Sequence, residues 1–332
     1  MKNKKIRVGV IYGGQSTEHE ISLQSAENVI AALDTEKYEI VRILINKNGG
    51  WEWGSEETGL PDGSQVDVAF PVLHGPLGED GTVQGFLKLM GIPFVGPSVL
   101  GSAIGMDKDV QKRLLRDAGI PTAKFLTMRS EERAALSFAE VKKELGLPLF
   151  VKPANAGSSV GVHKVKNEKD FVAAVNDAFK YDRKILIEEG IVGQEIECAV
   201  LGNEEPEASV PGEVKSNHEF YSYEAKYLDE NGALLEIPAK LSPLLTKKVQ
   251  ETALAAFKVL ECEGMSRVDC FVTADGRVLV NEVNTIPGFT KVSMYPKLWA
   301  ASGVSYSQLL DRLIELALAR STREKKLKMT FN

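Results

Sequence analysis

Only three cysteines occur in 332 residues, Cys198, Cys262 and Cys270, an odd number without metal-ligand spacing. The chain therefore carries neither a disulfide framework nor a cysteine-based metal site, and the three read as small hydrophobes in a reducing cytosol. No apolar stretch approaches the roughly 20 residues needed to cross a bilayer. The basic start, MKNKKIRVGVIYGG, has a short apolar run interrupted by Arg7 and leads into a glycine turn, which reads as a strand rather than a secretion signal. There is also no excess of positive charge: 40 Lys and Arg stand against 46 Asp and Glu, and a net charge of -6 argues mildly against a nucleic-acid or anionic-membrane partner while leaving room for local basic clusters that bind small anions. No internal repeat or low-complexity tract is present, which excludes solenoid architectures. A cytoplasmic protein is expected.

What is present is a globular composition, since 43% hydrophobic and 26% charged residues leave no room for a disordered or collagen-like chain. A length of 332 residues exceeds one ordinary core and points to two or three domains. Residues 6–12 read as a buried strand ending at Gly13-Gly14, followed by a helix with an apolar stripe at Leu23, Ala26, Ile30 and Leu33. Thr17 and Glu20 fit a capping box at its start, so Glu20 has a plain helix-start reading beside a functional one. Strands at 40–45 and 66–72, the loop HGPLGEDG at 74–81 and a helix at 82–90 complete an open, mostly parallel sheet with helices on its faces. Ligands of such sheets bind where strands end, which is where Glu20 and His74 fall.

A helical stretch at 97–118 leads out of this unit. A small α+β lobe follows: a helix at 138–145, the strand LFVKP, a glycine-rich loop, the strand VHKV, a helix at 169–179 and the strand KILIEE. From Glu195 strands predominate, with a helix at 246–260 and a closing amphipathic helix at 306–320. The expected units are residues 1–105, 106–194 and 195–332, and the polar, aromatic stretch at about 214–233 is long enough to be a lid.

The stretch Ser266–Gly288, SRVDCFVTADGRVLVNEVNTIPG, reads as a hairpin turning at Asp275-Gly276. With those two as the loop, Ala274 faces Arg277, Asp269 faces Glu282 and Arg267 faces Asn284, all on one side. Opposed carboxylates about 5 Å apart at Cβ repel unless a cation bridges them, and an oxygen-only set suits Mg²⁺ or Mn²⁺ better than zinc. Taken alone, the pair also fits a solvated hairpin face. The loop Asn155–Gly161 has the glycines and hydroxyls to wrap a phosphate, with Lys152 on the strand before it. It is not a Walker loop, because no Gly-Lys-Ser/Thr follows, and a protein kinase is excluded by the lack of Asp-Phe-Gly and His-Arg-Asp.

Together the glycine loop with Lys152, a strand ending in Glu188-Glu189, and the Asp and Glu-x-Asn hairpin resemble the ATP-grasp fold. Within it the chain resembles the D-alanine:D-alanine ligase family through GGQSTEHEISLQS at 13–25, LHGPLGEDGTVQG at 73–85, MDK at 106–108, VKPANAGSSVGV at 151–162, EAKY at 224–227, and SRVDCF with NEVNTIPGFTKVSMYPKLW at 266–299. The implied fold is an N-terminal α/β substrate-binding domain followed by a two-lobed, α+β ATP-grasp unit. The implied reaction joins two D-alanines for peptidoglycan precursors, with ATP, two Mg²⁺ or Mn²⁺, and a homodimer.

The resemblance also implies roles residue by residue. Lys108, Lys152 and Lys226 match phosphate-binding lysines, Glu188 and Glu189 flank the adenine segment, and Glu195 matches the ribose carboxylate. Asp269, Glu282 and Asn284 match the metal ligands, while Arg267 and the Gly288 N–H match the oxyanion donors. Glu20 matches the anchor for the first D-alanine's ammonium and Ser293 the site of the second carboxylate. Ser158 and Tyr227 match a hydrogen-bonded set tying the lid over the site, and His74 a histidine near the first substrate. Tyr227 also follows the dipeptide-forming pattern, against relatives that accept D-lactate. The alternatives are an ATP-grasp ligase with D-lactate or another acceptor and, more remotely, a non-catalytic small-molecule binding module.

Overall fold

A computed structural model of the chain describes residues 4–53, 56–57, 65–133, 137–216 and 233–328. The first sheet is built on β1 (Ile6–Gly13), parallel to β2 (Tyr38–Ile45) on one side and β5 (Val68–Pro71) on the other. Antiparallel β3 (Trp51–Trp53) and β4 (Glu56–Glu57) extend the far edge. All four residues of β5 are buried, as expected of a parallel strand covered on both faces.

Helix α1 (His19–Ala32) buries Ala26 of its apolar stripe, with Leu33 just beyond its end, but shares its inward face with serines. Its inward face is Ser22, Ser25, Ala26 and Val29, while Leu23 and Ile30 are half-buried. The serines are tolerated there because they are bonded: Gly13 N–H donates to Ser22 Oγ at 2.8 Å, and that hydroxyl donates to the Val72 carbonyl at 2.6 Å. The capping box is absent too. Glu18 occupies the N-cap position and no side chain caps the helix.

After α2 (Thr82–Leu89), the continuous helix expected at 97–118 is two, α3 (Val99–Met106) and α4 (Lys108–Asp117). They break at Asp107, whose backbone is extended and whose carboxylate caps α4 by accepting from the Asp109 and Val110 N–H groups. The middle sheet is antiparallel in the order β6 (Phe125–Arg129), β9 (Lys184–Glu189), β7 (Leu149–Pro153), β8 (His163–Val165). It shares a core with α5 (Phe138–Leu145) and α6 (Glu168–Ala178).

The third sheet is also antiparallel. Its order is β13 (Ala233–Glu236), β12 (Gly212–Ser216), β10 (Gln194–Gly202), β14 (Gly264–Val272), β15 (Val278–Asn284), with β11 (Glu207–Ala208) on β10. One face packs on α7 (Pro243–Val259) and on Leu115 and Ile120, so the apolar side of α4 joins this core while its Asp109 and Lys112 pair with β9 of the middle sheet. The other face shares a core with α8 (Met294–Ala301), α9 (Tyr306–Glu324) and the first sheet. Arg320 of α9 locks that junction, donating to the Phe94 and Gly96 carbonyls at 2.7 and 2.6 Å. Among the described residues no helix is long and apolar enough to cross a membrane.

Asp269 faces Glu282 and Arg267 faces Asn284, as read from the sequence. The route differs. Thr273 N–H bonds the Arg277 carbonyl, so the loop has three residues, with Gly276 at φ +76, and a bulge between Asp269 and Cys270 restores the count by making Asn281 the extra residue.

Candidate active site

A cleft opens between the middle and third sheets, walled by Phe150, Lys152 and Glu188 on one side and by Glu195, Asp269 and Glu282 on the other. Lys108 stands at its floor because Asp107 starts α4 there. Its Nζ donates to the Ala156 carbonyl at 2.8 Å and lies 3.3 Å from Glu282 Oε2. Lys152 pairs with Glu188 at 2.8 Å. Behind them Lys112, one helical turn from Lys108 and fully buried, lies 3.3 Å from the other Glu188 oxygen and donates to Thr122 Oγ1 at 2.8 Å. One carboxylate thus serves two ammonium groups. Burial raises the Glu188 pKa, but Lys112 and Lys152 outweigh it and hold the group below its ordinary range. Burial pulls Lys112 down to about 8; attraction to Glu188 offsets part of this, and repulsion from Lys152 adds to it. Glu189 also lines the cleft, and its carboxylate accepts from the Lys124 N–H at 2.8 Å.

The hairpin face carries the sequence-derived set. Arg267 grips Asp269 through two bonds of 2.7 Å, and Asn284 donates to the same carboxylate at 2.9 Å. Arg267 Nε is also 2.9 Å from Glu197. Burial lowers the guanidinium pKa, but the flanking Asp269 and Glu197 reverse this and raise it well above the ordinary value.

A second chamber lies across the glycine loop, at the ends of β1 and β5. Here the sequence reading needs correction. Glu20 points away, its side chain 64% exposed and paired with Lys47 at 2.8 Å, whereas Glu18 is buried and accepts a short hydrogen bond from Ser158 Oγ. The helical series 18, 22, 25, 29 carries Glu18 on the inward face and turns Glu20 out, a periodicity the capping-box spacing obscured. Buried His74 is 3.3 Å from Ser25 Oγ, and burial holds its imidazole below the ordinary range. Glu79 accepts from the Gly75 N–H at 2.7 Å, and burial, reinforced by Glu18, pushes it up to about 8. Gly75 and Gly157 leave room for Glu18: a Cβ on either would meet its Oε2 at 2.8 and 3.0 Å.

Gly288 and Ser293 lie on the neighbouring loop, which is tied to α1 by the Phe289 N–H donating to Ser25 Oγ at 3.3 Å. A Cβ at Gly288 would meet Ser293 Oγ at 2.7 Å, so a larger residue there would displace that hydroxyl. Thr290 N–H donates to Ser293 Oγ at 3.0 Å, and the two hydroxyl oxygens lie 2.8 Å apart. Lys226 and Tyr227 lie outside the described residues. Sequence reasoning also missed Glu197, Lys112, Glu79 and Gln111, whose buried amide bonds the N–H and carbonyl of Val283 between Glu282 and Asn284. Glu197 was within reach of it, because strand alternation puts residue 197 on the same face as Glu195.

Two family models match the chain, the N-terminus of D-ala D-ala ligase over residues 7–62 and 54–97 and its C-terminus over residues 114–315. The chain belongs to the D-ala D-ala ligase family. It is 52% identical, over 98% of each chain, to the D-alanine–D-alanine ligase of Oceanobacillus iheyensis. Among solved structures it is similar to the VanG D-Ala:D-Ser ligase of Enterococcus faecalis, with a TM-score of 0.86 at 38% identity over 95% of this chain and 100% of that one. It is also similar to the D-alanine–D-alanine ligase of Bacillus anthracis complexed with ATP, with a TM-score of 0.80 at 35% identity over 96% and 99%. The N-terminal match includes Glu18 and His74 and the C-terminal match includes Lys152, Glu188 and the hairpin, while Lys108 and Lys112 lie between the two.

Proposed function

We propose that the protein is an ATP-dependent ligase that joins two D-alanines into D-alanyl-D-alanine through an acyl phosphate. The observation that carries this reading is the glycine loop, which touches both chambers within three residues. Ala156 accepts from Lys108 on the cleft side, and Ser158 donates to Glu18 on the other. A phosphoryl donor held by Lys108 and Lys152 then faces an amino acid whose ammonium is anchored at Glu18, with His74 and Glu79 around it. Glu188, Glu189 and Glu195 serve the nucleoside end. The first D-alanine's carboxylate oxygen takes the γ-phosphoryl, the second D-alanine's amine attacks the resulting acyl phosphate, and phosphate leaves with the dipeptide formed.

Arg267 and the Gly288 N–H receive the oxyanion of the tetrahedral intermediate. Ser293 receives the second carboxylate: the Thr290 N–H already donates to its oxygen, so when the Thr290 hydroxyl donates as well the serine proton is free for the anion. Among the described residues no three His, Cys, Asp or Glu side chains form a metal cluster. The donor set here is different but fits Mg²⁺ or Mn²⁺: the carboxylates of Asp269 and Glu282 with the Asn284 amide oxygen, completed by phosphate and water oxygens. Two such ions, when bound, would neutralise the polyphosphate charge. The same reading has the enzyme working in the cytoplasm as a homodimer, which sedimentation would test.

The decisive experiment incubates the protein with ATP, Mg²⁺ and D-alanine and identifies products by mass spectrometry. ADP and dipeptide in equal amounts are expected, and ADP without dipeptide overturns the reading. The similarity to a D-Ala:D-Ser ligase makes D-serine, beside D-lactate, the acceptor to run in parallel.

A further inference from the structure

Three carboxylates stand in a row across the third sheet: Glu197 on β10 faces Asp269 on β14, and Asp269 faces Glu282 on β15. Two cations divide the row. Lys108 stands at the Glu282 end, 3.3 Å away. Arg267 stands at the Glu197 end, with Nε 2.9 Å from Glu197 Oε2 while it grips both oxygens of Asp269. Glu197 is only 7% exposed, so water screens this attraction little.

The inference rests on the ligase reading above, in which Asp269 and Glu282 hold divalent ions and Arg267 stabilises the oxyanion. Those two demands conflict at Asp269. Divalent charge beside its carboxylate competes for the oxygens that now hold the guanidinium, and it repels the guanidinium as well. Arg267 then needs a second anchor, on the side away from Glu282 and outside the metal set. We propose that Glu197 is that anchor, a positioning residue that keeps Arg267 aimed at the oxyanion when Asp269 is drawn to metal. The geometry fits this role: the single Nε proton now goes to Asp269 Oδ1, and Glu197 Oε2, 2.9 Å from Nε, is the acceptor to which it turns when metal takes Asp269. A carboxylate is required rather than an amide, because the anchor must replace the charge of Asp269 as well as its hydrogen bond.

The test uses the full chain with Glu197→Gln, which keeps the shape and loses the charge, alongside Arg267→Lys and the double variant. Four quantities are measured: kcat and KM for dipeptide formation, the apparent Mg²⁺ constant, the melting temperature, and the Arg267 Nε–H signal in ¹⁵N-arginine-labelled protein with and without Mg²⁺. For Glu197→Gln, kcat falls on the order of 100-fold, as for a misaimed catalytic group, while the KM for ATP and the Mg²⁺ constant hold within about twofold. The Arg267 signal stays sharp with Mg²⁺ in the native protein and broadens with Mg²⁺ in the variant. The double variant is no slower than Arg267→Lys alone, because both changes disable one unit.

A large rise in the Mg²⁺ constant, with kcat restored at saturating Mg²⁺, would make Glu197 a metal ligand and overturn the proposal. A lower melting temperature with unchanged kinetics and an unchanged arginine signal would reduce it to a structural residue. Full activity of Arg267→Lys would sink the oxyanion reading itself. An impaired Arg267→Lys beside a fully active Glu197→Gln would sink only the role of Glu197.

Discussion

Lys112→Met tests whether the nucleotide cleft rests on a buried cation that the fold holds at a disadvantage. The ammonium is fully buried, 3.3 Å from a carboxylate that is already closer to Lys152. Its pKa falls from 10.5 to about 8, which corresponds to about 3 kcal/mol of penalty on the charged form at neutral pH. Between pH 8 and 10.5 the unfolded chain binds this proton more tightly than the folded one, so stability from this group rises with pH. From pH 7 to 9.5 the gain is about 2 kcal/mol, or about 0.7 M in the urea midpoint at a slope near 3 kcal/mol/M. Methionine has no proton to lose and fills much of the same volume without the charge. The assay is urea unfolding of the native protein and the variant at both pH values, the difference between the two pH responses isolating Lys112 from other titrating groups. Equal responses would refute the reasoning, because they would mean that the ammonium titrates as it does in water.

Glu79→Gln acts in the opposite direction. A carboxyl raised from 4.5 to about 8 keeps its proton in the folded state, so its contribution to stability falls as pH rises through that window, and the variant loses that slope in the same unfolding assay. Gly157→Ala places a Cβ 3.0 Å from Glu18 Oε2, so the KM for D-alanine should rise by roughly tenfold with little change in the KM for ATP, measured by steady-state ADP release. Gln111→Ala removes the amide that bonds both the N–H and the carbonyl of Val283, between Glu282 and Asn284, at 3.1 and 3.2 Å. Two backbone groups of β15 are left unsatisfied, which should lower unfolding stability by about 2–4 kcal/mol and weaken Mg²⁺ activation, read from unfolding and from a Mg²⁺ titration of activity.

The parts of the site that were legible in the sequence are those whose chemistry follows strand alternation or an unmistakable loop. Lys152 and the glycine loop could be placed because a lysine on an apolar strand and a run of glycine and serine each have few other uses. Glu18 was hidden by a competing local rule, the Thr17 and Glu20 spacing, and by an inward helix face built from serines rather than leucines. Lys112 and Gln111 were invisible for a different reason. Both lie on α4 within about one turn of Lys108, and nothing local distinguishes a solvated lysine or glutamine from one that tertiary contacts bury. The break at Asp107 did have a local signal, an aspartate that caps α4, with Lys184 pairing with the same carboxylate at 2.6 Å from across the chain.

The hairpin shows how a correct result can rest on an incomplete count. A two-residue turn with strict alternation sets Asp269 opposite Glu282, but it also sets Val278 and Val280 on the same face as Glu282. Those valines are buried with Val283 in the core on the opposite side. Spacings of two and then three among Val278, Val280 and Val283 cannot be met by an unbroken strand, so the apolar residues themselves demand one extra residue between Val280 and Val283. The three-residue turn displaces the register by one and the bulge at Asn281 displaces it back. The valines then face the core while Glu282 and Asn284 face the cleft beside Asp269. Burial of three valines, each contributing about 1.5–3 kcal/mol, outweighs the modest disruption of one ladder step, and the metal-type pairing is the consequence.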